Sequence, residues 1–186
     1  DWFSILRRER KNKNMQIKIL TCNIWGVHYH PQVIDLLKES NADIIGLREV
    51  TQDPGGANNL AQVIGEQLGY KWVYAPVKQL KASEINLKSE KIIERGNAIL
   101  SRYKITGNKN HPLSEVHKRF ALETTIRVNT KNLNVFSTHL VHIHQQPSET
   151  QEKLETHEMQ ATNLIKFLPK ENTIVMGDFN ATQKSA

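Results

Sequence analysis

Short apolar runs of strand character alternate along this chain with stretches of helical periodicity, and that alternation restricts it to sheets covered by helices. Gln16–Cys22 sets Ile17, Ile19 and Thr21 against polar neighbours, the period-two pattern of a half-buried strand. Pro31 suits a first helical position, and Val33, Ile34 and Leu37 form one face of a short helix ending near Asn41. Asp43–Leu47 reads as the next strand. Leu60, Val63, Ile64 and Leu68 return to helical spacing, with Gly69 as the stop. Lys71–Ala75 and Asn97–Ser101 are strand-like, and the charged, poorly periodic Pro76–Arg95 between them reads as a long loop. Phe120–Val128 and Leu133–Leu140 flank the turn-rich Asn129–Asn132 as an antiparallel hairpin. Ser148 and Gln151 have capping-box spacing ahead of a helix buried through Leu154, Ala161, Leu164, Ile165 and Leu168 and ended by Pro169. Thr173–Met176 is a last strand. The pattern predicts a mixed α/β sheet protein and leaves its topology open.

Composition narrows the class. A chain of 186 residues fits one domain, since domains run to roughly 100–200 residues. The 38% hydrophobic and 24% charged content is that of a globular protein, and no apolar run approaches the ~20 residues of a membrane span. One cysteine, Cys22, excludes an internal disulfide framework and multi-cysteine metal clusters. Half of the net charge of +6 sits in residues 1–14, where Arg7, Arg8, Arg10, Lys11 and Lys13 face only Asp1 and Glu9. This divides the chain into a basic linker or N-terminal arm at 1–14 and a single domain at 15–186. The remainder is too evenly charged to announce a nucleic-acid face. The domain is expected to be soluble and monomeric, with no stable protein partner. A cytoplasmic site is favoured, while a secreted or membrane-tethered parent stays open.

The polar residues that close the strands carry the chemistry. The first strand runs into Cys22-Asn23-Ile24-Trp25-Gly26, the second into Leu47-Arg48-Glu49-Val50. The hairpin's return strand ends Ser137-Thr138-His139-Leu140, and the last gives Met176-Gly177-Asp178-Phe179-Asn180-Ala181. Four such ends can gather Asn, Glu, His and Asp at one sheet rim, the usual place for ligands in α/β proteins. Carboxylates with amide oxygens suit a hard cation such as Mg²⁺, and a neighbouring histidine can stabilise charge developing on a phosphoryl oxygen. The sequence has no H-E-x-x-H, no P-loop and no G-x-G-x-x-G turn. These residues point to metal-assisted chemistry on a phosphate ester.

The ordered series Thr21-Cys22-Asn23-Ile24-Trp25-Gly26, Gly46-Leu47-Arg48-Glu49-Val50, Gly96-Asn97-Ala98-Ile99-Leu100-Ser101-Arg102, Ser137-Thr138-His139-Leu140 and Gly177-Asp178-Phe179-Asn180-Ala181 resembles the endonuclease/exonuclease/phosphatase superfamily. The resemblance runs from about Gln16 to Lys184. It implies a four-layer α/β sandwich, two packed mixed sheets flanked by helices. It also implies Mg²⁺- or Mn²⁺-dependent hydrolysis of phosphoesters, most of all phosphodiesters, by in-line attack of water. Glu49 would be the principal metal ligand, supported by Asn23. Asp178 would share the metal or orient the water, Asn180 would hold a phosphate oxygen, and His139 would stabilise the transition state. Arg119 would contact the substrate phosphate, and Glu94 is a weaker candidate for a site carboxylate. The substrate class, whether nucleic acid, phospholipid or small phosphate ester, stays open.

Two departures accompany the resemblance. Arg48 stands before Glu49 where glutamine is common, and no Asp-His pair follows Asn180. The last strands and the general base are therefore expected to be missing and this stretch alone inactive, with a phosphate- or nucleic-acid-binding module as the alternative. Other features have plainer explanations. H-x-x-H-x-H at His139, His142 and His144 and H-x-H at His28 and His30 could chelate zinc, but loop surface is the simpler expectation. His117 beside Lys118 and Arg119 suits a basic substrate rim, whereas His111 and His157 read as surface. Lys78, Lys81, Lys88 and Lys91 read as a solvated loop balanced by Glu84, Glu90 and Glu94. Cys22 reads as packing, and Trp25 as core or cleft wall.

Overall fold

A computed structural model describes residues 16–26, 30–142 and 150–181. The basic arm, His28, His144 and Ser148 lie outside these residues, as do the side chains of His30, Gln151 and Leu154. Eight strands and three α-helices follow in the described residues: β1 Ile19–Asn23, α1 His30–Ser40, β2 Ile44–Gln52, α2 Leu60–Leu68, β3 Lys71–Lys81, β4 Ile92–Ser101, β5 Lys104–Ser114, β6 Arg119–Val128, β7 Lys131–His139, α3 Thr150–Phe167 and β8 Thr173–Asp178. They form two four-stranded sheets, ordered β1-β2-β4-β3 and β5-β6-β7-β8. Each is mixed: β1–β2 and β7–β8 are parallel pairs, and the others are antiparallel.

Strand alternation builds the layers. On β2 and β4, Ile45, Leu47, Ala98 and Leu100 point to one face and pack with Val33, Ile34 and Leu37 of α1 and Leu60 and Ile64 of α2. Ile44 and Ile99 point to the other face and meet Leu122, Ile126, Val135 and Met176 of the second sheet. The outer face of that sheet supplies Leu113, Ala121 and Phe136, covered by Leu164 of α3. The result is helix, sheet, sheet, helix: the expected four-layer sandwich. Local signals agree with it. Asn59 caps α2 by accepting from the Ala61 and Gln62 N–H groups, and Gly69 ends it at φ 71°, where a side chain would be strained.

Two expectations are corrected, and one strand is added to those read from the sequence. Pro76–Arg95 is a long β3–β4 hairpin, closed by a 3₁₀ turn at Ala82–Ile85, and not a loop. Its period was masked because β3 is a sheet edge that tolerates Pro76 at a register shift. Lys104–Ser114 is a full strand whose polar run Gly107–Asn110 hid it from an apolar pattern. His111 is buried on that strand, pairing with Glu123 at 2.6 Å and lying against the Phe167 ring, so it is not surface. His157 donates its Nε2–H to the Phe179 carbonyl at 2.5 Å.

The sheets leave no room for a side chain at Gly46 of β2, where a Cβ would lie 2.5 Å from Met176 Cε and 2.6 Å from Sδ. Gly46→Ala must displace Met176 or part the sheets, and overpacking of this kind costs about 1–3 kcal/mol. Denaturant unfolding of Gly46→Ala, Met176→Ala and the double variant should show the double less destabilised than the sum of the singles.

Candidate active site

Glu49 is positioned by a backbone irregularity. In the β2–β4 pairing Arg48 faces Asn97 and Val50 faces Gly96, leaving Glu49 as an inserted residue without a partner. Its φ of 57° lies in the left-handed region, which costs a non-glycine residue about 1 kcal/mol or more. The insertion lets Leu47 and Val50 face the same helix-covered core. It also turns the Glu49 side chain out to the rim. The sequence reading ended this strand at Leu47, whereas the strand continues to Gln52.

The chain after β1 straps onto this bulge. Ile24 and Gly26 donate their N–H groups to the Arg48 and Glu49 carbonyls, at 3.1 and 2.9 Å. That fixes Asn23, whose Nδ2 donates to Glu49 Oε1 at 3.2 Å while its Oδ1 accepts the Trp25 N–H. The second sheet supplies the facing half. His139 and Asp178 are register partners at the ends of the parallel strands β7 and β8. His139 Nδ1 is 3.8 Å from Glu49 Oε1, and its Nε2 is 3.9 Å from Asp178 Oδ2. Asn180, at φ 48°, donates its N–H to Asp178 Oδ1 and its Nδ2 to the Leu140 carbonyl. Asn23, Glu49, His139 and Asp178 thus meet where the C-terminal ends of two parallel strand pairs converge, with Asn180 bracing Asp178.

Arg95 was missed in the sequence because it lay in the presumed loop. It pairs with Glu49 Oε2 at 3.1 Å across β2 and β4. The cleft beside this pair is lined by Lys78, His117, Lys118 and Arg119 together with Glu49 and His139. Arg119, His117 and Lys118 therefore share one cleft with Glu49 and His139, and Lys78 leaves the solvated-loop reading. Glu94 takes its neighbours' amides instead: Gln52 at 2.6 Å and Gln79 at 3.1 Å. Arg48 is buried, donating to Thr21 Oγ1 and the Gly46 carbonyl, and its burial lowers its pKa against the pull of Asp178. Cys22 packs against the helix-covered core, and burial pushes its thiol up, as a packing residue would have it. Trp25 is exposed and borders a groove that reaches Glu49.

The donor set can be weighed against a metal. Among the described residues, no three His, Cys, Asp or Glu side chains form a ready-made metal cluster, and His142 is an exposed residue. A magnesium ion asks less: one or two carboxylates, with waters and substrate oxygens completing its shell. Glu49, Asp178 and the Asn23 amide oxygen are hard donors of that kind. Glu49 already draws a cation, Arg95, onto one of its oxygens. The residues fit the ion.

His139 is held neutral. Burial, then the neighbouring Arg119, push its pKa down to about 4, and Asp178 and Glu49 only partly oppose this.

The profile of the endonuclease/exonuclease/phosphatase family matches residues 20–186. No curated protein matches the chain in sequence. Solved structures match in fold. An endonuclease/exonuclease/phosphatase family protein from Leptotrichia buccalis aligns with TM-score 0.67 and 20% identity, over 89% of this chain and 67% of that one. An AP endonuclease from Archaeoglobus fulgidus gives 0.62 and 21%, over 89% and 58%. The human nocturnin catalytic domain, solved with a sulfate anion, gives 0.62 and 18%, over 89% and 65%. The chain therefore spans about three-fifths to two-thirds of the length of these proteins.

A histidine whose folded pKa is below its unfolded value of about 6.5 binds fewer protons folded than unfolded between the two values. Its neutral burial stabilises fully above pH 6.5, and that contribution, roughly 3 kcal/mol, is lost as pH falls towards 4. Imidazole titration followed by NMR should place His139 near pH 4. His139→Gln should flatten the stability profile in that window.

Proposed function

The chain belongs to the endonuclease/exonuclease/phosphatase family, and from that premise we propose that it carries the catalytic site of a Mg²⁺- or Mn²⁺-dependent hydrolase of phosphoesters, most of all phosphodiesters. The observation that carries this reading is the convergence of Asn23, Glu49, His139 and Asp178 beside a cationic cleft. Glu49, Asn23 and Asp178 are the residues that would hold the ion. When bound, it supplies Lewis-acid stabilisation of phosphoryl charge.

The remaining chemistry belongs to the chain. Arg119, aided by Arg95, draws the substrate phosphate into the cleft and neutralises its charge. His139, neutral at pH 7, offers an N–H to a phosphoryl oxygen as negative charge grows there, a contact stronger in the transition state than in the ground state. Asp178 Oδ2 accepts a hydrogen bond from the attacking water and sets its line of approach. Asn180 has one amide hydrogen on the Leu140 carbonyl, and its second is left for a phosphate oxygen.

One observation favours a second reading. Both Glu49 oxygens already have partners, Asn23 and Arg95, which suits a module that binds phosphate without turning it over. Binding would then weaken steeply with salt and no product would form.

The test is hydrolysis by the full protein of abasic DNA, single-stranded DNA, RNA, sphingomyelin and inositol phosphates, with Mg²⁺ and after chelation. Chelation should abolish turnover. Glu49→Gln and Asp178→Asn should each lower kcat by about 10²–10⁴-fold, and His139→Ala by about 10²–10³-fold. Undiminished metal-dependent turnover in both carboxylate variants would end the assignment.

A further inference from the structure

Lys78 and Arg95 are direct register partners on the antiparallel strands β3 and β4. Like charges placed opposite one another repel, so such a pair persists where something negative lies between them or where function requires it. Arg95 is partnered by Glu49. Lys78 has no salt bridge or side-chain hydrogen bond among the described residues, although it is half-buried. Burial, then Arg95 and Arg119, lower its pKa, so the charge is held against both solvent loss and repulsion.

Arg119 repeats the pattern on the other sheet. Its Nε is buried without a hydrogen-bond partner, and its guanidinium is disfavoured by burial and then by Arg95. Lys118 adjoins it in the β5–β6 turn, in the left-handed region at φ 45°. All four cations line one cleft, and the carboxylate among its lining residues is that of Glu49. Glu84, the acid that acts on Lys78 from outside the cleft, accepts the Lys81 N–H.

This wall holds more positive charge than one phosphodiester needs. A diester phosphate carries a single negative charge, and Arg119 with Arg95 suffices to meet it. A phosphomonoester adds about −1.5 to −2 at pH 7 and three strong acceptor oxygens. Lys78, at the β3 side of the cleft, and Lys118, at the β5–β6 turn, are the cations left to receive such a group.

We propose that the Lys78–Lys118 side of the cleft is a second anion subsite, selecting phosphodiesters that carry a terminal phosphomonoester next to the scissile group. The proposal rests on the phosphoesterase reading of the site and deepens it to a substrate class. A polynucleotide end and a phosphorylated inositol headgroup both offer this chemistry.

Calorimetric binding to the full protein under chelation separates the two ideas, because it requires no turnover. The probes are a thymidine dinucleotide with and without a terminal phosphate, and glycerophosphoinositol with and without a phosphate on its inositol ring. The terminal phosphate should tighten binding by about tenfold to a hundredfold in one pair, the range expected for a charged hydrogen-bonded contact. The pair that gains identifies the source. Lys78→Met, checked for unchanged thermal unfolding, should remove most of the gain, read as the ratio of affinities within each probe pair. Lys118→Gln, exposed and thus safe for folding, should reduce it. Equal binding within both pairs, or a gain retained in the Lys78→Met/Lys118→Gln double variant, overturns the subsite. Such a result leaves the hydrolase reading standing, whereas failure of turnover with the gain intact removes the hydrolase reading alone.

Discussion

The inserted residue in β2 is the constraint on which the rest of the site depends. Without it, Glu49 would follow the period-two alternation of Ile45 and Leu47 and point into the helix-covered core. A lone carboxylate there would be far costlier than about 1 kcal/mol of backbone strain. The bulge exchanges one penalty for the other and places a charged group at the rim. It also sets free the Glu49 carbonyl that Gly26 binds, so the same irregularity orients Asn23.

The two sheets divide the labour by strand direction. Each contributes a parallel pair, β1–β2 or β7–β8, whose C-terminal ends deliver Asn23 with Glu49 and His139 with Asp178. The antiparallel parts deliver the cations: Lys78 and Arg95 from β3 and β4, Lys118 and Arg119 from the turn into β6. Arg95 meets Glu49 within the first sheet, whereas Lys118 and Arg119 join them only when the sheets pack. Desolvation by that packing keeps His139 neutral and disfavours the charges on Arg48 and Arg119.

Much of this was legible in the sequence where residues near one another in the chain determine the outcome. The hairpin around Asn129–Asn132, the Gly69 stop, and the polar strand ends at Asn23, His139 and Asp178 are local signals, and each stands where it was read. The β3–β4 hairpin was not legible because an edge strand with Pro76 and alternating charges lacks the apolar period. Arg95 was missed with it, since only the cross-strand register brings it to Glu49. The burial of His111 was hidden for a like reason: its partner Glu123 lies on the next strand and its ring contact on α3. Cross-strand partners are not written in local periodicity.

The order of strands in the chain follows the division into sheets. β1 to β4 occupy residues 19–101 and β5 to β8 residues 104–178, so a single short link at Arg102 and Tyr103 joins the halves. Neither half contains both Glu49 and His139. A chain nicked at that link would become two polypeptides, one sheet with α1 and α2 and the other with α3, and the site would exist only in their complex. The chemistry at this rim is therefore a property of association between two chain segments, and its presence would report their docking as a heterodimer's interface does.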